Sequence, residues 1–214
     1  RELESPEGYQ VMEPVEITVL PTAEVQTFTV RNYPIQVVIE KVDKETGEYV
    51  SGVRLELLNE AKEVVSKWVT GSEPMVFTGL RAGVYYIREA EAADGYQLLQ
   101  EPIKIVVTDT AGVQTFQIEN QKIEVEIEKV DGESHEPVAG VVLKLVKEDG
   151  TIIREWTTDG KPEQFLKLEA GDYLIYETSE AEGYQQLKEP VRITVTKDYK
   201  VQVFTVENHK IEVN

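Results

Sequence analysis

The stretch Val113-Gln-Thr-Phe-Gln-Ile-Glu-Asn-Gln-Lys-Ile-Glu-Val-Glu-Ile-Glu-Lys-Val-Asp131 decides how the chain is read. It ends one repeat at Asn120 and opens the next, whose lysine is Lys129. The same ending stands at Phe28-Thr-Val-Arg-Asn32 and Phe204-Thr-Val-Glu-Asn208, and the same opening at Val37-Val-Ile-Glu-Lys-Val-Asp43. The lysines are 129 − 41 = 88 residues apart, and the asparagines keep that step, 120 − 32 = 88 and 208 − 120 = 88. Glu89 matches Glu177 and Trp68 matches Trp156 at the same offset, while Gly8-Tyr9, Gly95-Tyr96 and Gly183-Tyr184 fall in step to within one residue. Self-similarity at fixed spacing marks tandem copies of one structural unit. The expected organisation is two complete repeats, 34–121 and 122–209. Residues 1–33 read as the last third of an earlier repeat. Residues 210–214 read as the start of a next one, because Lys210-Ile-Glu-Val repeats Lys122-Ile-Glu-Val.

Within a repeat the local signals are all β. Runs rich in Val, Ile, Thr and Tyr recur between Gly, Pro and Asp clusters. Strands are expected near 35–42, 53–58, 63–69, 75–78, 84–91, 102–108 and 113–120, and again 88 residues on. Gly47, Gly71, Gly83 and Asp94-Gly95 mark turns. Ala61-Lys-Glu-Val-Val-Ser-Lys67 has helical composition, but its counterpart Asp149-Gly-Thr-Ile-Ile-Arg-Glu155 reads as turn then strand. The pair therefore predicts a hairpin. Seven short strands per repeat imply an all-β fold of tandem Ig-like β-sandwich repeats. No Pro/Gly/Ser-rich linker separates the repeats, so they are expected to sit end to end with limited freedom.

Composition narrows the function classes. The chain has 214 residues, 41% of them hydrophobic, and a net charge of −18. Such acidity argues against nucleic-acid binding, which needs a basic stripe. Apolar runs are only a few residues long, so no segment reads as membrane-inserted, and Arg1-Glu-Leu-Glu4 offers no apolar leader region. Cysteine is absent, so if the chain is secreted, a staple other than a disulfide is expected.

Side chains alternate faces along a strand. In 35–42 this puts Ile35, Val37, Ile39 and Lys41 on one face, and in 123–130 Ile123, Val125, Ile127 and Lys129. Glu124, Glu126 and Glu128 take the other face, so the lysine points into the core, where a charge without a partner is very costly. Parity puts Asn120 with Phe116 and Ile118, and Asn208 with Phe204 and Val206. It puts Glu89 with Tyr85 and Ile87, and Glu177 with Tyr173 and Ile175. Any one of these alone reads as an ordinary strand-end polar group reaching water. Three inward polar residues, on the first, fifth and seventh strands and with the same parity in both repeats, do not.

The ordered set Lys41-Val-Asp43, Tyr85-Tyr-Ile-Arg-Glu89, Gly95-Tyr96 and Ile118-Glu-Asn120 returns as Lys129-Val-Asp131, Tyr173-Leu-Ile-Tyr-Glu177, Gly183-Tyr184 and Val206-Glu-Asn208. It resembles the CnaB-type (SpaA-like, prealbumin-like) repeat of Gram-positive surface adhesins and pilins, and covers nearly the whole chain. The resemblance implies prealbumin-like sandwiches and an intramolecular isopeptide bond in each repeat. These would be Lys41–Asn120 assisted by Glu89, and Lys129–Asn208 assisted by Glu177. Glu2 and Asn32 would belong to an earlier site whose lysine is not in this chain, completed by upstream strands or by another chain. The chemistry suits burial. Desolvation lowers a lysine pKa and raises that of a carboxylic acid. A neutral amine can then attack while the acid polarises the carbonyl and shuttles protons. Such a reaction occurs once per site, so it is self-modification and the chain is not expected to be an enzyme or to need a cofactor.

The function implied is a structural stalk or spacer of a bacterial cell-surface adhesin or pilin-like fibre, extracellular and wall-anchored through other parts of its protein. Its partners would be neighbouring repeats. The alternative is a ligand-binding adhesin module that recognises a host or matrix molecule through a sandwich surface. Neither repeat carries the long insertion in which binding sites usually reside, which favours the spacer. Catalytic or metal roles find little support. His135 aligns near Thr46 and His209 with Gln121, so neither position requires histidine. The acidic turn Asp43-Lys-Glu-Thr-Gly-Glu48 lacks the oxygen spacing of a calcium loop, and no metal site is expected. Trp68 and Trp156 read as packing residues, and Tyr9, Tyr96 and Tyr184 as anchors of the loop after the fifth strand.

Overall fold

The structure, a computed structural model, describes residues 1–198 and 200–212. Residues 213 and 214, the last of the expected 210–214 opening, lie outside the described residues. Two compact units are present. One contains Arg1–Glu91 and Leu99–Asn120; the other contains Ala92–Leu98 and the chain from Gln121 onward.

In unit 1 the strands are β1 (Gln36–Asp43), β2 (Arg54–Leu58), β3 (Val64–Val69), β4 (Met75–Thr78), β5 (Gly83–Glu91), β6 (Ile103–Val107) and β7 (Val113–Asn120). They form a three-stranded sheet, β4-β1-β7, and a four-stranded sheet, β3-β2-β5-β6. Unit 2 repeats the pattern. Its strands are β8 (Glu124–Asp131), β9 (Ala139–Lys147), β10 (Ile152–Asp159), β11 (Glu163–Leu166), β12 (Gly171–Ser179), β13 (Val191–Val195) and β14 (Gln202–Asn208). Its sheets are β11-β8-β14 and β10-β9-β12-β13. Each unit is a β-sandwich, and every strand lies within a residue or two of its expected place. Among the described residues no helix is long and apolar enough to cross a membrane.

The first and last strands of each sandwich pair in parallel, from Gln36↔Val113 to Asp43↔Asn120 and from Val125↔Gln202 to Asp131↔Asn208. Parallel neighbours need a long crossover, and here the other five strands provide it. Period-two burial is followed closely. Ile35, Val37 and Ile39 are buried and so are Ile123, Val125 and Ile127, facing Leu55, Leu57 and Ile87 or Leu143, Leu145 and Ile175 of the opposite sheets. Each such side chain contributes about 1.5–3 kcal/mol by leaving water. Trp68 meets Phe77 edge-on at 5.3 Å between ring centroids, and Trp156 meets Phe165 at 5.5 Å.

The hairpin over 59–63 forms as the repeat comparison predicts. Asn59 donates through its amide to Glu63 O and accepts from Glu63 N at its Oδ1, both at 2.9 Å. Lys62 takes the left-handed backbone (φ 66) that Gly150 takes in the second copy (φ 89). His135 (φ 59) stands where Gly47 (φ 73) stands, and their amides donate to Asp131 O and Asp43 O respectively. The turn weighed for calcium is closed by its own carboxylate. Asp43 Oδ1 accepts from the amides of Glu45 and Thr46, as Asp131 Oδ1 does from Glu133 and Ser134.

Residues 1–33 contain no named strand among the described residues and belong to unit 1. Val11 N donates to Asp109 O at 2.7 Å, and Tyr9 bridges Pro34.

Candidate functional site

Lys41 and Asn120 come from adjacent parallel strands of one sheet, and Glu89 from the facing sheet. The register sets Lys41 beside Ile118 and Asn120 beside Asp43, so the lysine and the asparagine share the inward face two positions apart. Glu89 lies on β5 opposite Leu55, in the middle strands of the other layer. All three are buried. Lys41 Nζ is 3.0 Å from Glu89 Oε2 and donates to the Glu119 carbonyl at 3.2 Å. The Asn120 carboxamide is 1% exposed as a residue and finds no hydrogen-bond partner among the described residues. An orphaned buried amide costs about 1–3 kcal/mol, which marks this as an unusual core position.

Unit 2 brings the same three groups into one chain of contacts. Lys129 Nζ donates to Asn208 Oδ1. Asn208 Nδ2 donates to Glu177 Oε1 at 3.0 Å. Lys129 Nζ lies 3.6 Å from Glu177 Oε2, and both side chains are essentially sealed from solvent. The amine thus touches the oxygen of the carboxamide, while the carboxyl touches the nitrogen that would leave. Burial is the largest influence on both lysines. It lowers Lys129 to about 8, with Glu177 pulling in the opposite sense. Lys41 is likewise lowered by burial, against the pull of Glu89. Part of the Lys129 population is therefore a neutral, nucleophilic amine at neutral pH.

The earlier-repeat pair also meets. Asn32 Nδ2 donates to Glu2 Oε1 at 2.6 Å, and Glu2 Oε2 accepts from Met12 N at 2.7 Å, in a half-buried setting. His135 lies in a turn, and His209 follows Asn208 directly with its ring beside Gly132. Among the described residues no cluster of three or more His, Asp or Glu is placed to hold a metal ion.

Sequence reasoning missed two polar features. One is Glu56, buried on the outer face of β2 between Lys67 (2.8 Å) and Arg88. Its counterparts Lys144, Glu155 and Tyr176 change the charges but keep the register, and this swap was the available signal. The other is Asp131, whose Oδ2 accepts from the Tyr184 hydroxyl at 2.9 Å and meets Lys210 Nζ at 3.1 Å. These contacts and the amides at Oδ1 hold its carboxyl well below the usual carboxylate range, the two backbone amides most of all.

Comparison with known proteins agrees with this architecture. No curated protein matches the chain. The Bacillus anthracis TIE protein superposes with a TM-score of 0.55 at 22% identity, over 98% of this chain and 41% of that one. This chain therefore spans about two-fifths of that structure's length. A streptococcal ancillary pilin aligns at 23% identity with a TM-score of 0.39, over 87% and 73% of the two chains. The minor pilin of the Gram-positive pathogen Streptococcus agalactiae aligns at 18% identity with a TM-score of 0.38, over 84% and 98%. The SpaA-type prealbumin-like fold domain matches twice, over residues 35–122 and 123–210. These two matches take in most of the sequence, and the chain belongs to the SpaA family of prealbumin-like fold domains.

Proposed function

We propose that each sandwich cross-links itself once through an amide between its buried lysine and asparagine, and that the chain serves as a load-bearing segment of a Gram-positive surface fibre, a pilin or an adhesin stalk. The observation that carries this reading is the closed set of contacts among Lys129, Asn208 and Glu177. The neutral Lys129 amine attacks Asn208 Cγ and forms the new C–N bond. Glu177 relays the proton lost by the amine to the departing nitrogen, and the old C–N bond breaks with release of ammonia. Lysine amine plus carboxamide gives a secondary amide plus ammonia, with no oxidant, metal or cofactor. Strands fixed in register hold the reacting groups together, and this proximity replaces a catalyst's binding step. Lys41, Asn120 and Glu89 perform the same reaction in unit 1. The Glu2–Asn32 contact repeats the carboxyl–carboxamide half of that set.

The bond ties the first strand of a sandwich to the last. Tension entering along β8 crosses from Lys129 to Asn208, and the strands between carry none of it. Intact mass tests the reading. The mature chain lacks two ammonias relative to its sequence, and Lys41→Ala or Lys129→Ala each restores one. A mass equal to that of the unmodified sequence overturns it.

A further inference from the structure

The three groups proposed to react in unit 2 stand on three strands, and one buried carboxylate is tied to the chain beyond each of them. Asp131, two residues past Lys129 on β8, is 1% exposed and stands in register with Asn208 of β14. Its Oδ1 accepts from the amides of Glu133 and Ser134 at 3.0 and 2.9 Å, which folds the chain into a turn after β8. The intervening amide, Gly132 N, donates to the Asn208 carbonyl at 2.9 Å. The approach is close, since a Cβ on Gly132 would lie 2.5 Å from Cε1 of the His209 ring. The turn is fastened to its own strand by Asp131 N to Glu136 O at 2.9 Å and by Val138 N to Lys129 O at 2.8 Å.

Asp131 Oδ2 takes two further partners, the Tyr184 hydroxyl at 2.9 Å and Lys210 Nζ at 3.1 Å. Tyr184 lies in the loop after β12, the strand of Glu177, and its ring packs against the core of the unit. From the same loop Gln186 Nε2 donates back to the Glu177 carbonyl at 3.0 Å. Lys210 follows Asn208 by two residues. The loop and this trailing segment are laced by Gln185 N to His209 O at 2.8 Å and Ile211 N to Gly183 O at 2.9 Å.

We infer that Asp131 is the positioning residue of the unit 2 site, a carboxylate that locks the chain beyond Lys129, Glu177 and Asn208 and so sets how the three meet. Two backbone amides, a hydroxyl and an ammonium occupy both of its oxygens, and charge-assisted bonds of this kind fix geometry tightly. It acts through the backbone and exchanges no proton. The inference takes its purpose from the cross-linking reading. Reactions between preassembled groups lose rate steeply when those groups are slightly misplaced, so loosening this hub slows the bond without removing any reacting atom.

The test follows the full chain made by cell-free synthesis, sampled over time and digested with trypsin. The branched Lys129–Asn208 peptide reports unit 2, and the Lys41–Asn120 peptide is the internal clock. Asp131→Asn slows the first by about tenfold or more and leaves the second at the parent rate. Tyr184→Phe, which removes one hydroxyl and no charge, slows it in the same direction by a smaller factor. Asp149→Asn is the control, because that exposed turn aspartate accepts only from Thr151 N among the backbone amides, at 2.9 Å, and its loss leaves the rate unchanged. Amide exchange in β9 and β12 confirms folding, and rates are taken far below each melting midpoint, so a variant that has lost stability alone reacts like the parent. A second readout needs no bond. In the unreactive Lys129→Met chain, the Asn208 Nδ2 protons that face Glu177 give one sharp pair of nuclear magnetic resonance signals, and adding Asp131→Asn broadens or displaces it. A parent rate in Asp131→Asn overturns the inference, as does equal slowing by Asp149→Asn or an unmoved Asn208 pair. Absence of the branched peptide from the parent refutes the cross-link itself, while the Asn208 pair still decides whether Asp131 positions the site.

Discussion

Asn208→Ala is the sharpest perturbation of the cross-link. It removes the carbon that Lys129 attacks in the proposed reaction yet leaves Lys129 3.6 Å from Glu177, so no lone charge is stranded in the core. The proposed bond would close a span of 79 residues. With the chain-entropy relation used for disulfides, applied to an amide, its loss costs about 4–5 kcal/mol. In a domain of this size each kcal/mol moves the midpoint by about 4–8 °C, so the unit 2 transition falls by about 16–40 °C. The two hydrogen bonds made by the Asn208 carboxamide are worth about 1 kcal/mol each, too little for a shift of that size. Scanning calorimetry reads the midpoint, with unit 1 as internal reference, and intact mass reports the restored ammonia. Lys129→Met/Asn208→Ala then falls little further than either single variant, because one bond is lost once and the two effects are not additive. A fall of about 8–16 °C or less, which lost hydrogen bonds alone account for, refutes the reasoning. Strict additivity in the double variant does the same.

Two further outcomes follow. Bond formation in unit 2, timed by mass on chains released from denaturant, speeds up about tenfold per pH unit below pH 8 and levels off above it, because Lys129 titrates at about 8 and only its neutral form attacks; a pH-independent rate contradicts this. Asp131→Asn lowers the melting temperature at neutral pH, and its deficit shrinks as the solution is acidified below the ordinary aspartate range. A depressed folded-state pKa contributes stability above the unfolded value and loses it on descending through the folded one; thermal melts from pH 7 to 2 on both chains check the convergence.

Much of this was legible in the sequence. The repeat spacing located every strand to within a residue or two, and parity put Lys41 and Lys129 inside because their alternation with Ile and Val is unbroken. Those signals are local. The parallel pairing of first and last strands is not, since nothing near residue 41 states which strand lies beside it. The same holds for Glu56, whose neighbours Lys67 and Arg88 sit on strands that only the sheet brings together. His135 shows another limit. Sequence matched it loosely to Thr46, whereas the backbone gives it the left-handed place of Gly47. Tyr96 was read as an anchor for the loop after the fifth strand, and the backbone bonds of its neighbours Gly95 and Gln97 to Ile123 and Gln121 became visible only in three dimensions.

The parallel ladders of β1 with β7 and of β8 with β14 set the direction in which each sandwich is strong. A pull on the leading end of β1 and the trailing end of β7 acts along the strands, so it slides one past the other. The pairs from Gln36↔Val113 to Asp43↔Asn120 share that shear and must give way together. Antiparallel neighbours pulled from one end would instead peel apart a pair at a time, like a zipper. The ladder therefore resists such a pull without any covalent cross-link. Lys41 stands opposite Ile118 near the far end of the ladder, so the proposed bond from it would add a stop where sliding otherwise finishes.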